Sequence, residues 1–225
     1  PGWQKWVWSP FLSILGTGAT AFVYNGRFQP ETYLELLQDY QINVLCCTPT
    51  EYRMMAKLSN LNDYHLEHLH SAVSAGEPLN REVVEQFKNN FNLTVRDGYG
   101  QTESTLLIGF LKDTEPRPGS MGKGIPGSFV TIIDDDGNEV PPQTKGNIAV
   151  PLDLPALFKG YYKDEERTKA ASAGDYYVTG DLAHKDEDGY FWFEGRRDDI
   201  IISSGYTIGP FEVCLLYTSD AADER

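Results

Sequence analysis

Apolar residues recur every three or four positions early in the chain, in segments that alternate with short apolar runs. "PETYLELLQDY" (30–40) begins with a proline suited to the first helical turn and continues at helical spacing. "NVLCCT" (43–48) predicts a buried strand. "TPTE" (48–51) has the form of a capping box, which predicts a helix over "PTEYRMMAKL" (49–58).

The same alternation continues as far as Asp97. "AVSA" (72–75) and "NLTVRD" (92–97) predict strands, and Asn80 is placed to cap a helix over "REVVEQFKNN" (81–90). Strands that alternate with helices are typical of a parallel sheet with helices packed against it. The fold class predicted for this half is therefore α/β.

The pattern changes after Glu103. "FVTIIDDDGNEV" (129–140) and "AHKDEDGYFWFEG" (183–195) each set apolar residues around an Asp-Gly pair, which is a strong hairpin signal. We therefore predict that the parallel layer is followed by an antiparallel β-rich subdomain from about residue 121 to residue 195.

Composition and charge narrow the class of protein. An apolar content of 40% in 225 residues predicts a folded core, and no apolar run approaches the length that spans a bilayer. The formal charge of −14 argues against a nucleic-acid partner, because such binding depends on Lys and Arg. The three cysteines, with Cys46 and Cys47 adjacent in an apolar run, predict buried thiols and a cytoplasmic protein rather than a disulfide framework.

Three apparent motifs fail on their context. Gly122, Gly124 and Gly127 satisfy G-x-G-x-x-G, but a proline and a strand-like segment follow where a dinucleotide site needs a helix. "DDDGNE" and "DEDG" resemble calcium loops, yet the first ligand position lacks a carboxylate, so we interpret both as hairpin turns. "HLEHLH" (65–70) has no carboxylate or thiol at a recognised ligand spacing and predicts a solvated surface.

"RDGYGQTES" (96–104) is polar, flexible and placed where a strand of the parallel layer ends. Ligands of open α/β sheets gather at the carboxyl ends of strands, and Tyr99 between two glycines can lie against a flat heterocycle. Thr102 can donate to a phosphate oxygen, and Glu103 offers a hard oxygen ligand suited to Mg²⁺. On this segment alone, a polar turn with a buried tyrosine explains the sequence equally well.

Other segments favour a nucleotide site. "SAGEPLN" (74–80) ends a second strand with a turn that can present backbone groups to a purine edge. "YYVTGD" ends in Asp181 after a turn, and one carboxylate can accept hydrogen bonds from both hydroxyls of a ribose. Arg196 adds a permanently charged fork suited to phosphate or ribose.

Six segments then carry a family resemblance, in order along the chain: "SAGEPLN", "DGYGQTE", "PGSMGKGIPG", "LFKGYYKDEERT", "YYVTGDLAHKDEDGYFWFEGRRDDII" and "SSGYTIGPFEV". They resemble successive motifs of the adenylate-forming superfamily, specifically the medium-chain type of acyl-CoA synthetase, over almost all of residues 2–213. The resemblance implies part of the large N-terminal domain of these enzymes. It also implies activation of a carboxylic acid with ATP and Mg²⁺ to an acyl-adenylate, followed by transfer to coenzyme A.

The resemblance implies roles for individual residues. Thr102 would contact the α-phosphate, Glu103 the magnesium, Asp181 the ribose hydroxyls, and Arg196 the ribose and phosphate. The residues that would border the adenine and its ribose side are Gly76, Glu77, Pro78, Asp97, Gly98, Tyr99, Gly100 and Gln101.

Further roles fall near the two ends of the chain. Ser204, Gly205 and Tyr206 match the segment that meets coenzyme A, and Trp3 lies where these enzymes place an aromatic against the acyl chain. Asp198 matches the hinge about which a small C-terminal domain rotates. The domain assignment that follows is adenylation domain over 1–197, hinge and start of the C-terminal domain over 198–213, and a non-native tail over 214–225.

The chain also departs from the family pattern. Thr207 and Ile202 stand where many relatives carry basic residues, so those phosphate contacts are not carried over. The phosphate loop and the distal lysine of the family are not found in the sequence. We therefore expect an internal fragment that has no synthetase activity by itself.

Two other functions compete with an acyl-CoA synthetase acting on short- to medium-chain acids. One is an adenylation domain that feeds a carrier-protein thiol, or a luciferase-like relative. The other is a catalytically inactive nucleotide-binding scaffold. "SSGYTIGPFE" favours the coenzyme A branch.

Overall fold

The computed structural model describes residues 14–77, 79–197, 201–203 and 206–208. The chain divides into two units, Pro1–Gly119 and Ser120–Arg225, which are described separately. The predictions for Trp3, Pro78, Asp198, Ser204, Gly205 and the tail 214–225 lie outside the described residues.

The first unit contains a three-stranded parallel sheet with helices around it. The helices are α1 (Ile14–Gly16), α2 (Pro30–Asp39), α3 (Pro49–Ala56) and α4 (Arg81–Phe91), with a 3-10 turn at Leu61–Asp63. The parallel strands are β1 (Val44–Cys47), β2 (Ser71–Ser74) and β3 (Val95–Arg96), in the order β1-β2-β3. The α/β layer predicted from the hydrophobic pattern is confirmed.

Two terminus predictions for the helices have different outcomes. At α3 the capping box is complete: the Thr48 side chain accepts from the Glu51 amide, and the Glu51 carboxylate accepts from the Thr48 amide at 2.7 Å. At α4 the predicted start is confirmed, since Asn80 occupies the N-cap position, but the predicted cap is absent because its side chain accepts no bond from the first helical turn. Its Oδ1 accepts instead from Arg53 of α3, at 3.4 Å.

The prediction of a buried first strand was half wrong. Exposed and buried residues alternate along β1, so that Cys47 is buried while Cys46 is exposed. The reason is that one face of β1 packs on the core and the other does not, which gives the period of two expected for a half-buried strand.

The core of the first unit is built around aromatic side chains from α3 and α4. Tyr52 and Phe87 are both fully buried, with ring centroids 5.2 Å apart in an edge-on arrangement. The Tyr52 hydroxyl lies 3.2 Å from the Leu45 carbonyl and 3.3 Å from the Val73 carbonyl, so it ties α3 to β1 and β2. Burial raises the pKa of Tyr52 well above that of a free tyrosine, which keeps the hydroxyl a donor.

The predicted polar loop at 96–104 is largely a strand. Strands β4 (Gly98–Gln101) and β5 (Thr105–Gly109) form an antiparallel hairpin with a register shift between Tyr99 and Gly100. Strand β4 is polar and glycine-rich, so hydrophobic alternation gave no signal of it.

The second unit is dominated by antiparallel strands, as predicted. They are β6 (Gly122–Gly124), β7 (Thr131–Ile133), β8 (Gly146–Pro151), β9 (Ser172–Ala173), β10 (Tyr176–Lys185) and β11 (Tyr190–Arg196). The sheet runs β6-β11-β10-β8-β7, with β9 paired to β10. Helix α5 (Glu165–Ala170) and the paired strands β12 (Ile201–Ser203) and β13 (Tyr206–Ile208) complete its described elements.

The rejected motifs have the structures predicted for them. Gly122 and Gly124 lie in strand β6, and strand β7 is the next element, so no helix follows the glycines. Asp134 and Asp186 each accept backbone N–H groups inside their own turns, including the amides of Asn138 and Tyr190 at 2.8 Å. The histidines at 65, 68 and 70 are exposed.

The α/β layer followed by an antiparallel β-rich region confirms the predicted fold class. Within the described part of the chain, no helix is both long and apolar enough to cross a bilayer.

Replacing Tyr52 with phenylalanine should lower the free energy of unfolding by about 1 kcal/mol, because two strand carbonyls lose their hydroxyl donor while packing is kept. Urea denaturation measures the change. The matched control is Tyr40→Phe, since Tyr40 is 62% exposed and its hydroxyl should not matter. Equal stability of Tyr52→Phe and the unmodified protein would contradict this role.

Candidate nucleotide site

Residues predicted to border a nucleotide lie at the carboxyl ends of two adjacent parallel strands. Gly76 and Glu77 follow β2, and Gly76 has a φ of 100°, a conformation that favours glycine. Asp97 follows β3 directly. A Cβ placed on Gly98 would lie 3.8 Å from the Ser74 carbonyl oxygen, so the end of β2 and the start of β4 are neighbours. The structure thus brings these two predicted segments together.

Asp97 and Gly98 begin the β4–β5 hairpin. The Asp97 carboxylate accepts from the Gly98 amide at 2.9 Å, and the Phe110 amide donates to the Asp97 carbonyl at 3.4 Å. Tyr99 lies opposite Ile108 and is half-buried. The hairpin therefore holds the predicted stacking tyrosine on a paired strand rather than on a flexible loop.

Gly100 is the tightest point of the hairpin. A Cβ there would meet the Thr105 carbonyl oxygen at 1.9 Å and the Leu106 Cα at 2.9 Å, both backbone atoms that cannot move independently. Thr105 also has a φ of 61°, which is rare for a β-branched residue. Such backbone conformations persist only where surrounding contacts hold them, and they often occur at functional sites.

Thr102 and Glu103 form the tip of this hairpin. The Ser104 amide donates to the Gln101 carbonyl at 3.1 Å, and the Gln101 amide donates to the Ser104 hydroxyl at 3.3 Å. These bonds fix the two ends of the turn, with Thr102 exposed and Glu103 half-buried between them. The turn thus presents a hydroxyl and a carboxylate side by side.

Glu77 has side-chain partners that the sequence analysis missed. The Thr50 hydroxyl donates to Glu77 Oε2 at 2.6 Å, and Arg53 Nη2 donates to the same oxygen at 3.1 Å. Thr50 and Arg53 lie on α3, 24 to 27 positions earlier in the chain. The signal that could have found them is their spacing of three on a capped helix next to strand β1, which places both on one face of its first turns.

Two buried polar atoms at the same sheet edge also escaped prediction. Among the described residues, Ser74 Oγ and Arg96 Nε are buried without a hydrogen-bond partner. Both lie at the last residues of neighbouring parallel strands. Buried polar atoms of this kind are rare in folded proteins.

In the second unit, Asp181 and Arg196 form an ion pair across β10 and β11. They occupy opposing positions in the strand register, and Arg196 Nη1 lies 3.3 Å from Asp181 Oδ1. The side chain of Asp181 is 8% exposed and that of Arg196 45%. The Asp181 amide donates to the Thr179 hydroxyl at 3.2 Å, which fixes the backbone next to the carboxylate.

The prediction that Asp181 follows a turn was wrong, because β10 runs continuously from Tyr176 to Lys185. The glycine of "VTGD" instead marks a bulge: Gly180 has a φ of 77°, and the registers of β10 with β8 and β11 shift near it. A bulge re-aims side chains locally, which explains why a Gly-Asp pair looks like a turn in the sequence.

Arg197 precedes the predicted hinge residue and makes two contacts within the second unit. Its amide donates to the Gly180 carbonyl at 2.9 Å, and its Nη2 lies 3.2 Å from Asp135 Oδ1. The Asn147 side-chain amide donates to the same Asp135 oxygen at 3.3 Å. The backbone is therefore fixed up to residue 197.

Glu103 is the one residue that the sequence analysis predicts as a metal ligand. Within residues 14–77 and 79–197, no three His, Cys, Asp or Glu side chains gather in an arrangement that could hold a metal ion. Mg²⁺ is commonly bound through one or two carboxylates, with water and substrate phosphates as its other ligands. A single half-buried carboxylate on a hairpin turn fits that mode.

Comparison with known proteins now identifies the family. Residues 5–162 match the family described as AMP-binding enzyme. The chain belongs to this family. The predicted resemblance to adenylate-forming enzymes is confirmed.

Named relatives and solved structures agree with that assignment. The uncharacterized acyl-CoA ligase YtcI of Bacillus subtilis (strain 168) is 68% identical over 213 residues, which cover 95% of this chain and 40% of the relative. An acyl-CoA synthetase of Brucella canis superposes with a TM-score of 0.81 at 34% identity, covering 95% of this chain and 40% of that structure. The anthranilate CoA ligase AuaEII, solved in complex with anthranoyl-AMP, gives 0.79 at 28% identity, covering 87% and 38%. The chain spans about 40% of the length of YtcI.

Replacing Gly100 with alanine should lower the free energy of unfolding by about 3 kcal/mol, because the new methyl group would overlap the Thr105 backbone. Thermal and urea unfolding measure this loss. Gly16→Ala is the matched control, since a Cβ at Gly16 meets no atom within 4 Å. A Gly100→Ala protein as stable as Gly16→Ala would contradict the described hairpin geometry.

Proposed function

We propose that the complete gene product carrying this chain is an AMP-forming acyl-CoA synthetase for short- to medium-chain carboxylic acids. The observation that supports this most directly is the ion pair of Asp181 and Arg196 on adjacent strands. It combines a nearly buried carboxylate with a half-exposed guanidinium. This is the arrangement expected for holding a ribose and its neighbouring phosphate.

In the proposed first step, a carboxylate oxygen of the acid attacks the α-phosphorus of ATP and displaces pyrophosphate. Negative charge grows on the phosphate oxygens during this attack, and fixed donors at the site would stabilise it. We assign Thr102 to the α-phosphate and Arg196 to the phosphate and ribose. In the second step the coenzyme A thiol attacks the acyl carbon and displaces AMP.

Recognition of the nucleotide base is assigned to the first unit. Gly76, Glu77 and Pro78 would border the adenine, and Asp97 to Gln101 would hold its ribose side, with Tyr99 stacked on the ring. The paired hairpin supports this assignment, because it fixes the Tyr99 backbone before any ligand binds.

Glu103 would hold the magnesium, together with phosphate oxygens and water. Bound Mg²⁺ supplies positive charge that offsets the charge of the phosphates.

The remaining assignments concern coenzyme A, the acid and the domain boundary. We assign Ser204, Gly205 and Tyr206 to coenzyme A and Trp3 to the acyl chain. Residues 1–197 would belong to the adenylation domain, with the hinge at Asp198. The doubly held Arg197 supports a boundary at this point, since a hinge needs a fixed residue on one side. The names of YtcI and the Brucella canis enzyme favour coenzyme A over a carrier protein as the thiol.

The function is tested by incubating the purified complete gene product with ATP, Mg²⁺, coenzyme A and a panel of carboxylic acids. We expect AMP release that depends on both the acid and coenzyme A, highest for short- to medium-chain acids. AMP release that needs a carrier protein instead of coenzyme A would identify the competing adenylation-domain function. No acid-dependent AMP or pyrophosphate release would refute the proposal.

In the complete gene product, replacing Glu103 with glutamine should reduce acid-dependent pyrophosphate exchange by about 100-fold, because the amide no longer offers a charged oxygen ligand. Isotope exchange between pyrophosphate and ATP measures the effect. Glu187→Gln serves as the control, since Glu187 lies exposed in the turn between β10 and β11. An unchanged exchange rate in Glu103→Gln would show that Glu103 does not hold the metal.

In the complete gene product, replacing Asp181 with asparagine should weaken AMP binding by about tenfold or more, since hydrogen bonds to a carboxylate are stronger than those to an amide. Calorimetric titration with AMP measures the dissociation constant. Asp175→Asn is the control, because Asp175 is exposed just before β10. Equal affinities of the two variants would remove Asp181 from the ribose site.

A further inference from the structure

We propose that Arg53 of helix α3 is a positioning residue for the nucleotide: it fixes the turn after β2 by holding both Glu77 and Asn80. We call Thr50, Arg53, Glu77 and Asn80 the clamp. This inference rests on the proposed function, which assigns the turn at Gly76 and Glu77 to the adenine.

The first argument is the pattern of contacts made by Arg53. Its Nη2 lies 3.1 Å from Glu77 Oε2, and its Nη1 lies 3.4 Å from Asn80 Oδ1. One planar guanidinium therefore joins two positions that are three residues apart in the chain. Because the guanidinium is rigid, holding both acceptors fixes the distance between them.

Thr50 strengthens the same end of the clamp. It donates to Glu77 Oε2 at 2.6 Å and accepts from Arg53 Nη2 at 2.6 Å. The three side chains close a triangle of hydrogen bonds. A single ion pair this exposed, 37% for Arg53 and 43% for Glu77, contributes little, whereas a closed network with fixed geometry contributes more.

The second argument is that the clamp stands on a rigid support. The capping box fixes the first turn of α3, and Tyr52, next to Arg53, is fully buried and bonded to carbonyls of β1 and β2. Arg53 therefore starts from a backbone position set by the core. Side chains held on such supports position ligand-binding segments more accurately than loop residues do.

The behaviour of Asn80 is the third argument. An asparagine at an N-cap position commonly accepts from an amide of the first helical turn, but Asn80 makes no such bond. Its oxygen is directed to Arg53 instead. Giving up a helix cap is destabilising, so the bond between Asn80 and Arg53 forms in competition with ordinary helix capping.

Charge supplies the fourth argument. ATP is anionic and the chain carries a formal charge of −14, so an uncompensated Glu77 carboxylate beside the adenine would disfavour binding. Arg53 neutralises that carboxylate at 3.1 Å. Loss of Arg53 would both loosen the turn and leave a negative charge at the site.

The experiment compares Arg53→Ala, Arg53→Lys and Thr50→Val in the complete gene product. Calorimetric titration gives the dissociation constant for ATP, steady-state assays give KM and kcat, and thermal unfolding gives Tm. Arg81→Ala is the matched control, because Arg81 lies one residue past Asn80 and pairs only at the surface with Glu85 among the contacts described.

We expect Arg53→Ala to raise the ATP dissociation constant and the KM for ATP about fivefold, with kcat and Tm close to those of Arg81→Ala. The ATP dissociation constant of Arg53→Lys should lie between those of Arg53→Ala and the unmodified protein, because an ammonium retains the charge but cannot bridge two acceptors as a planar fork. In a Glu77→Ala background, Arg53→Ala should add less than about twofold, since Arg53 acts through Glu77.

An ATP dissociation constant in Arg53→Ala equal to that of Arg81→Ala would overturn the inference. So would an effect of Arg53→Ala that is undiminished in the Glu77→Ala background. If Arg53→Ala fails to fold, Arg53→Lys decides the question, because it keeps the charge but cannot hold Glu77 and Asn80 as a planar fork; an ATP dissociation constant equal to that of Arg81→Ala would again overturn the inference. The proposed function fails separately, when the unmodified protein shows no acid-dependent AMP release.

Discussion

The first unit depends on how helix α3 is fixed to the parallel sheet. The Tyr52 hydroxyl sits between carbonyl groups of two neighbouring strands, and its ring packs edge-on against Phe87 from the next helix. The Tyr52 ring is thus packed and its hydroxyl is hydrogen-bonded within the same core. The position of α3 in turn sets where Thr50 and Arg53 meet the turn after β2. A buried tyrosine therefore determines the geometry of a polar cluster at the surface.

Hydrophobic spacing predicted the α/β layer well, because its helices and strands are placed by burial alone. Hydrophobic spacing failed to predict segments whose course is set by backbone conformation. Strand β4 contains two glycines and no aliphatic side chain, and β10 continues through Gly180, so neither has the expected alternation. Capping rules placed both helix starts correctly, but the side-chain cap forms at Thr48 and not at Asn80. The difference is that Asn80 has a distant competitor, Arg53, which local sequence rules do not include.

The candidate site also divides into residues that the sequence analysis singled out and residues that it missed. The motifs singled out Glu77, Asp181 and Arg196, whose roles toward a nucleotide stay predictions. Their supporting partners were missed, because they come from far along the chain and have ordinary surroundings in the sequence. Three arginines illustrate the result: Arg53, Arg196 and Arg197 each pair with a carboxylate. In a strongly acidic chain, such pairs offset local charge where an anionic ligand is proposed to bind.

The two acidic hairpin turns have a consequence for motif searches. In each, one aspartate carboxylate oxygen accepts from main-chain N–H groups of the same turn, and for Asp134 these bonds, chiefly that from the Asn138 amide, lower the carboxyl pKa. A high density of acidic residues in such a turn therefore indicates hydrogen bonding within the turn, and does not by itself indicate a site for divalent cations. A motif search that counts acidic residues without geometry would select both turns as calcium loops.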